Sequence, residues 1–192
     1  MNTKIAIAVA SNREMKIGTY LSLMNLAVGY QRDLLPLVAT DGYDTAENRN
    51  YCVFNALRAG CSHILFVDDD MVFPPDTLER LLNHDKDIIG TVYNSRMFPP
   101  TPTIALEDGS KIKDGDKLEP LIKCSYVGTG VMLIKLDIFK TIEKPWFHIQ
   151  KHENGYTLFS DDCYFCKQVI KQGYEVWCDT TIKVGHLGLF TY

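Results

Sequence analysis

The stretch His63-Ile64-Leu65-Phe66-Val67-Asp68-Asp69-Asp70-Met71 constrains the fold more than any other. Its first five residues, four of them apolar, read as a short buried strand. Three aspartates follow at once. A strand that ends in carboxylates presents them at the carboxyl edge of a sheet, where ligands bind in open α/β sheets. Alternate side chains of an extended segment share a face. Asp68 and Asp70 are therefore expected to point one way, with Asp69 turned aside or capping the turn. Like charges on one face call for a cation between them, and an all-oxygen pair suits Mg²⁺ or Mn²⁺. The alternative is a solvated acidic turn after a core strand.

The rest of the chain supplies an α/β frame for that edge. Lys4 to Ala10 predicts a first central strand, whose small alanines alternate with branched residues. Ser11-Asn12-Arg13 makes a polar break at its carboxyl end. Thr19 to Tyr30 has a helical apolar face, and Leu34 to Ala39 a strand pattern. Pro36 confines that strand to an edge or places the proline near its start. Thr40 to Asp44 is a turn, and Asp44-Thr45-Ala46-Glu47 has the form of a capping box for a helix to about Ala59, with Gly60 at its C′ position. Arg49 lies near that helix's N-terminus, against the dipole, where an anionic partner would offset the cost. Asp76 to Asn83 predicts a helix and Asp87 to Tyr93 a strand. Asn94 to Thr103, with three prolines and Arg96, predicts an irregular loop, and Glu107 to Asp116 a hairpin tip.

Beyond this point the elements shorten. Ile122 to Tyr126 and Val131 to Ile134 flank Val127-Gly128-Thr129-Gly130, where glycines in a strand pattern suggest a bulge or a group approaching the backbone. Lys135 to Ile142 predicts a short helix. Ser160 suits an N-cap, with Asp161 and Asp162 in the first turn of a helix reaching Gly173. Tyr174 to Cys178 predicts a last strand before Gly185-His186. The alternation implies one domain over 1–192, alternating strand and helix to about 93 and built of shorter elements from about 94.

Composition excludes several classes. A net charge of −4 gives no footprint for non-specific nucleic-acid binding. No apolar run is long enough for a transmembrane helix, and the opening residues lack a signal-peptide layout, which predicts a cytoplasmic protein. Six cysteines, four of them (Cys52, Cys61, Cys124 and Cys178) in or beside apolar patterns, fit a reduced compartment. Cys163-Tyr164-Phe165-Cys166 lacks a second pair or spaced histidines for zinc. There is no GxGxxG after the first strand and no Walker loop, against a dinucleotide dehydrogenase and a phosphate-loop NTPase.

In this order and spacing the motifs resemble the GT-A glycosyltransferases, especially the broad family-2-like group. Phe66-Val67-Asp68-Asp69-Asp70-Met71 resembles that family's DxD, Val127-Gly128-Thr129-Gly130 its glycine strand, and Ser160-Asp161-Asp162-Cys163-Tyr164-Phe165 its Glu-Asp pair at a helix start. Gly185-His186 resembles the late metal-binding histidine of some members. Asp161 departs from the pattern, standing where the family usually has Glu. The resemblance implies a Rossmann-like α/β/α sandwich with a mixed, mostly parallel sheet and a small antiparallel appendage. It implies transfer of a sugar from a UDP- or GDP-sugar to a glycan or other hydroxyl acceptor. A cation, Mn²⁺ or Mg²⁺, would be held by Asp70 with Asp68 and His186, or Asp68 would instead hold the ribose. The donor would lie against Ala10, Ser11, Arg49, Asp68, Asp69, Gly128 and Gly130. Asp162 is the candidate base of an inverting reaction, with Asp161 its competitor and better suited to positioning. Trp146 and Tyr156 would border the acceptor. A retaining transferase, a binding module without turnover and a nucleotidyltransferase are the competing readings.

Overall fold

The computed structural model describes residues 4–11, 14–30, 33–40, 42, 44–112 and 116–188. Asn12, Arg13, Asp41 and Tyr43 of the predicted turns lie outside the described residues, as do residues 113–115 of the hairpin stretch.

In chain order the elements are β1 (Ile5–Ala10), α1 (Ile17–Gly29), β2 (Leu34–Ala39), α2 (Thr45–Arg58), β3 (His63–Val67), β4 (Met71–Val72), α3 (Thr77–Asn83), β5 (Ile88–Thr91), β6 (Ile104–Leu106), β7 (Leu121–Val127), β8 (Val131–Lys135), a 3-10 helix (Leu136–Lys140), β9 (Gln150–Lys151), β10 (Thr157–Phe159), α4 (Asp161–Lys171), β11 (Val176–Asp179) and β12 (Gly185–His186). Eight strands form one sheet in the order β2-β1-β3-β8-β5-β11-β7-β6. β7 and β8 run against the other six, so the sheet is mixed and mostly parallel. Two small antiparallel ribbons, β9–β10 and β4–β12, complete the strands.

The strand sequences explain the layering. Successive side chains of a strand face opposite sides, and in β1 every residue is buried. Ala6 and Ala8 pack with Ala46, Cys52, Val53 and Ala56, mostly from α2, and with Phe165 and Val169 of α4. Ile5, Ile7 and Val9 face the other way, toward Leu26 of α1 and Leu78 and Leu81 of α3. Small residues on one face and branched ones on the other let helices cover both sides of the sheet. β3 divides likewise, with Ile64 and Phe66 on the α2 side and Leu65 and Val67 opposite. Each fully buried side chain of this kind contributes about 1.5–3 kcal/mol.

Local signals hold at several places. β2 pairs only with β1, so Pro36 sits on an edge strand. Asp44 caps α2 by accepting the Glu47 N–H at 2.9 Å, and Gly60, just past its end, has φ +69°. A strand from beyond residue 93, β8, inserts antiparallel between β3 and β5. The stretch predicted as a helix from Lys135 is a shorter 3-10 turn. No helix among the described residues is long and apolar enough to cross a membrane. All six cysteines are free thiols.

Candidate active site at the acidic strand end

The three aspartates after β3 go to three different partners. Asp68 continues the strand, its N–H bonded to the Gly130 carbonyl at 3.0 Å. Its carboxylate accepts from Arg49 Nη2 at 2.7 Å. Asp69 turns aside, within a turn closed by Met71 N on the Asp68 carbonyl at 3.3 Å. Its side chain accepts from the Ser11 hydroxyl, and its carbonyl from Lys16 N at 2.8 Å and Thr19 Oγ1 at 3.0 Å. It thereby ties the end of β1 to the start of α1. Asp70 is buried and engaged on both oxygens, by Arg96 Nη1 at 2.7 Å and His186 Nε2 at 3.2 Å.

A two-residue strand brings His186 there. β12 pairs with β4 in the register His186↔Met71, and Leu187 N donates to the Asp70 carbonyl at 2.8 Å. His186 Nδ1 faces the Asn94 carbonyl at 2.9 Å, and the ring packs edge-on to Tyr93 with centroids 5.5 Å apart. A carbonyl and a carboxylate only accept, so Nδ1–H donates to Asn94 and Nε2–H to Asp70, the arrangement of a doubly protonated ring. Burial works against the Asp70 charge, but His186 and Arg96 outweigh it and hold the carboxyl below its ordinary range. Burial also disfavours an imidazolium at His186, but its hydrogen bonds to Asp70 and to the Asn94 carbonyl outweigh that and lift its pKa above the ordinary value.

Arg49 is the link between the two ends of the chain. Its guanidinium is buried and bonds Asp68 through Nη2 and Asp161, the first residue of α4, through Nη1. Its Nε is buried with no hydrogen-bond partner among the described residues. Burial opposes the guanidinium charge, yet Asp68 and Asp161 more than compensate and raise its pKa. Burial raises the Asp68 carboxyl while Arg49 draws it back. With Arg49 in contact at 2.7 Å and the Asp68 side chain still 28% exposed, the ionised pair is the state this geometry describes. The anionic partners that an arginine near this helix start calls for are two carboxylates of the chain itself.

The second acidic pair divides its work. Asp161 is buried against Arg49. Asp162 is half-buried and accepts from Tyr126 Oη at 3.0 Å, from the Ser160 hydroxyl and from Cys163 N at 2.8 Å. Ser160 occupies the N-cap position, but its hydroxyl bonds Asp162 rather than a backbone N–H. Burial, with Asp162 next to it, raises the Tyr126 pKa, so the phenol stays a donor.

The close approach inferred at Gly128 and Gly130 is made by the protein: a Cβ on Gly130 would lie 2.5 Å from Tyr93 Cζ and from Met71 Cε, and one on Gly128 would collide with the Tyr93 hydroxyl. That hydroxyl accepts from Gly130 N at 3.0 Å. Trp146, expected at an acceptor, is 4% exposed. Its indole N–H donates to the Phe139 carbonyl at 3.0 Å, and Asn50 of α2 holds the Trp146 and Phe147 amides at 3.1 Å each. It is a core residue. Tyr156, on the β9–β10 ribbon, is 76% exposed. Ala10 and Ser11 are buried at the end of β1, with Ser11 N bonded to the Ala39 carbonyl. Tyr93, Arg96 and Tyr126 are site residues that sequence reasoning missed; only the glycine pair, which needs a bulky neighbour, hinted at Tyr93.

Two clefts open on either side of this region, neither lined by the aspartates themselves. One, of about 410 Å³, lies at the end of β2 against α2 and is lined by Ala39, Thr40, Asn48 and Tyr51. The other, of about 440 Å³, lies beside His186 between Tyr93, Asn94, Thr180 and Lys183. No group of three or more His, Cys, Asp or Glu side chains among the described residues is gathered as a metal cluster. Asp70 and His186 are in contact, whereas Asp68 turns to Arg49.

No family model matches the chain, and no curated protein matches its sequence. Solved structures do match its fold. A197 from STIV aligns with a TM-score of 0.64 at 14% identity, over 97% of this chain and 86% of that one. The inositol-1-phosphate CTP transferase from T. maritima aligns at 0.52 and 12% identity, over 97% and 90%. GalNAc-T7, solved with UDP, GalNAc and Mn2+, aligns at 0.54 and 9% identity, over 97% of this chain and 44% of that one. The chain therefore has a GT-A-like α/β/α fold, with its acidic strand end at the carboxyl edge of the sheet.

Proposed function

We propose that this chain is a metal-dependent glycosyltransferase, moving a sugar from a nucleotide-diphosphate sugar to an acceptor hydroxyl with inversion. The observation that carries the reading is the meeting, at one sheet edge, of Asp70 with His186 and of an Asp68–Arg49–Asp161 bridge leading to Asp162. A fold shared with a protein solved with UDP, GalNAc and Mn2+ supports it.

The residues fit a divalent cation. His186 Nε2 lies 3.2 Å from an Asp70 carboxylate oxygen, where a cation would take the place of the Nε2 proton, while its Nδ1–H is anchored on a carbonyl, the usual support of a metal-bound histidine. Charge argues the same way. Asp68, Asp69, Asp70, Asp161 and Asp162 face two guanidiniums, Arg49 and Arg96, leaving an acidic site that repels an anionic donor. Bound at Asp70 and His186, Mn²⁺ or Mg²⁺ would neutralise the charge that grows on a departing diphosphate.

The chain's own residues do the rest. The cleft beside Tyr51, whose ring is exposed, takes the nucleoside, a UDP- or GDP-sugar being the donor class. Asp68, fixed by Arg49, meets the ribose. Asp162 removes the proton of the acceptor hydroxyl: its Oδ2 accepts from Tyr126 and keeps a lone pair for a second donor. Asp161 has no such freedom, being buried against Arg49. Tyr156 offers an exposed ring to a glycan or other hydroxyl acceptor.

Nucleotidyl transfer is the second reading, favoured by the match to 90% of the CTP transferase chain. A panel of nucleotide sugars, scored for products, separates the two. Mn²⁺- or Mg²⁺-dependent release of nucleoside diphosphate, lost in Asp70→Ala with the fold intact, is the expected result. Pyrophosphate as product points to nucleotidyl transfer, and full turnover in excess EDTA refutes metal dependence. Retention at the anomeric carbon makes the reaction a retaining one, and donor binding without turnover makes the chain a binding module.

A further inference from the structure

We infer that Arg96 closes the Asp70–His186 cation site while the site is free of metal, and that a divalent cation must displace it to bind. The inference rests on the metal reading above and adds a residue to it. Three observations carry it. Arg96 Nη1 lies 2.7 Å from Asp70 Oδ2, opposite the oxygen that faces His186, so the guanidinium engages the ligand a cation would use. Asp70 is buried, its side chain 5% exposed, and needs a counter-charge; the Arg96 side chain, 46% exposed, supplies it from the solvent side. Arg96 also sits where it can leave. It belongs to the loop 94–103, pinned at its base by the Asn94–Pro102 bridge and the Ser95–Thr101 hydrogen bonds, with Met97 and Phe98 exposed at the tip.

The base of that loop stays with the site, because the Asn94 carbonyl holds His186 Nδ1. Arg96, two residues on, can therefore swing without disturbing the histidine. A divalent cation on Asp70 would be within contact range of a like-charged guanidinium, and the two compete for one carboxylate. Once displaced, the guanidinium stands at the edge of the cation site with its planar donor fork free, a geometry matched to phosphate oxygens. Arg96 thus exchanges Asp70 for the donor diphosphate, which couples cation binding to donor binding.

The test is Mn²⁺ binding to the ligand-free protein, followed by the loss of free-Mn²⁺ electron paramagnetic resonance signal. Wild type is compared with Arg96→Gln, Arg96→Lys and Asp70→Asn, each checked for folding by circular dichroism. Arg96→Gln should bind Mn²⁺ about ten-fold more tightly than wild type, the scale for removing one partly exposed competing charge. Arg96→Lys, which keeps the charge, should stay near wild type, and Asp70→Asn should abolish the site. Binding seen only in Arg96→Gln supports the inference too. Equal or weaker binding in Arg96→Gln, with Asp70→Asn still abolishing it, overturns the inference and leaves the metal reading standing. Absence of any Asp70-dependent binding in all variants overturns both.

Discussion

Replacing Arg49 with Met tests the link between the two ends of the chain. Met keeps much of the aliphatic stem and removes the charge. The guanidinium is 6% exposed and its partner Asp161 7%, so Arg49→Met leaves a buried carboxylate unpaired. Removing one member of a buried pair costs roughly 3–5 kcal/mol. Asp68, at 28% exposed, recovers part of its loss from water, which argues for the lower end, about 3 kcal/mol. In a domain of this size each kcal/mol shifts Tm by about 2–4 °C, so Arg49→Met should melt about 6–12 °C below wild type. The assay is urea unfolding at pH 7 of wild type, Arg49→Met, Asp161→Asn and the double variant. If the pair is the cause, removing the Asp161 charge costs far less in the Arg49→Met background than alone. A coupling of about 2 kcal/mol or more is expected in the double-mutant cycle. A loss below about 1 kcal/mol for Arg49→Met, or simple additivity, refutes the reasoning.

Asp162→Asn should lower turnover by roughly two to four orders of magnitude with little change in donor affinity, the range for losing a general base. Asp161→Asn should cost less turnover and more stability, since Asp161 is the partner of Arg49; the reverse order in steady-state kinetics would move the base to Asp161. Asp179, buried at the end of β11, is pushed up by burial, but hydrogen bonds from Thr181 and His84, with Arg80 nearby, outweigh this and hold it below its ordinary range. A lowered folded-state pKa stabilises fully above the unfolded value of about 3.9 and is lost as pH falls through the folded value. Asp179→Asn should thus cost about 1–2 kcal/mol at pH 7, with the gap to wild type narrowing between about pH 5 and 2 in thermal melts; a gap constant over that range would count against it.

Those parts of the fold set by neighbouring residues were legible in the sequence. The runs at Ile5–Ala10 and His63–Val67 are strands because nothing but a two-sided core accommodates them. Asp44 caps α2 through a bond three residues away. Asp69 turned aside, but through a turn after the strand rather than by strand alternation. What could not be read was what distance in sequence conceals. Arg49 and Asp161 are separated by 112 positions, and neither residue type alone marks a buried bridge. β12 is a two-residue strand, too short for any periodicity, yet it delivers His186. Trp146, expected beside the acceptor, is held inside by Asn50, a helical residue 96 positions earlier.

The departure at Asp161 from the glutamate of the resembled family follows from that bridge. Arg49 must reach Asp68 at the end of β3 and the start of α4 with one guanidinium. Asp is one methylene shorter than Glu, and in a position buried to this degree the extra group would have to find room in a packed site. The shorter side chain brings the first turn of α4 close to Arg49. That turn also carries Asp162, whose carboxylate is oriented by Ser160, Cys163 N and Tyr126 rather than by a bond to the guanidinium. One buried aspartate anchors the helix, and its half-exposed neighbour is left free for a proton. On this account Asp161→Glu is not conservative: it keeps the charge but displaces the helix start, and with it the residue proposed as the base.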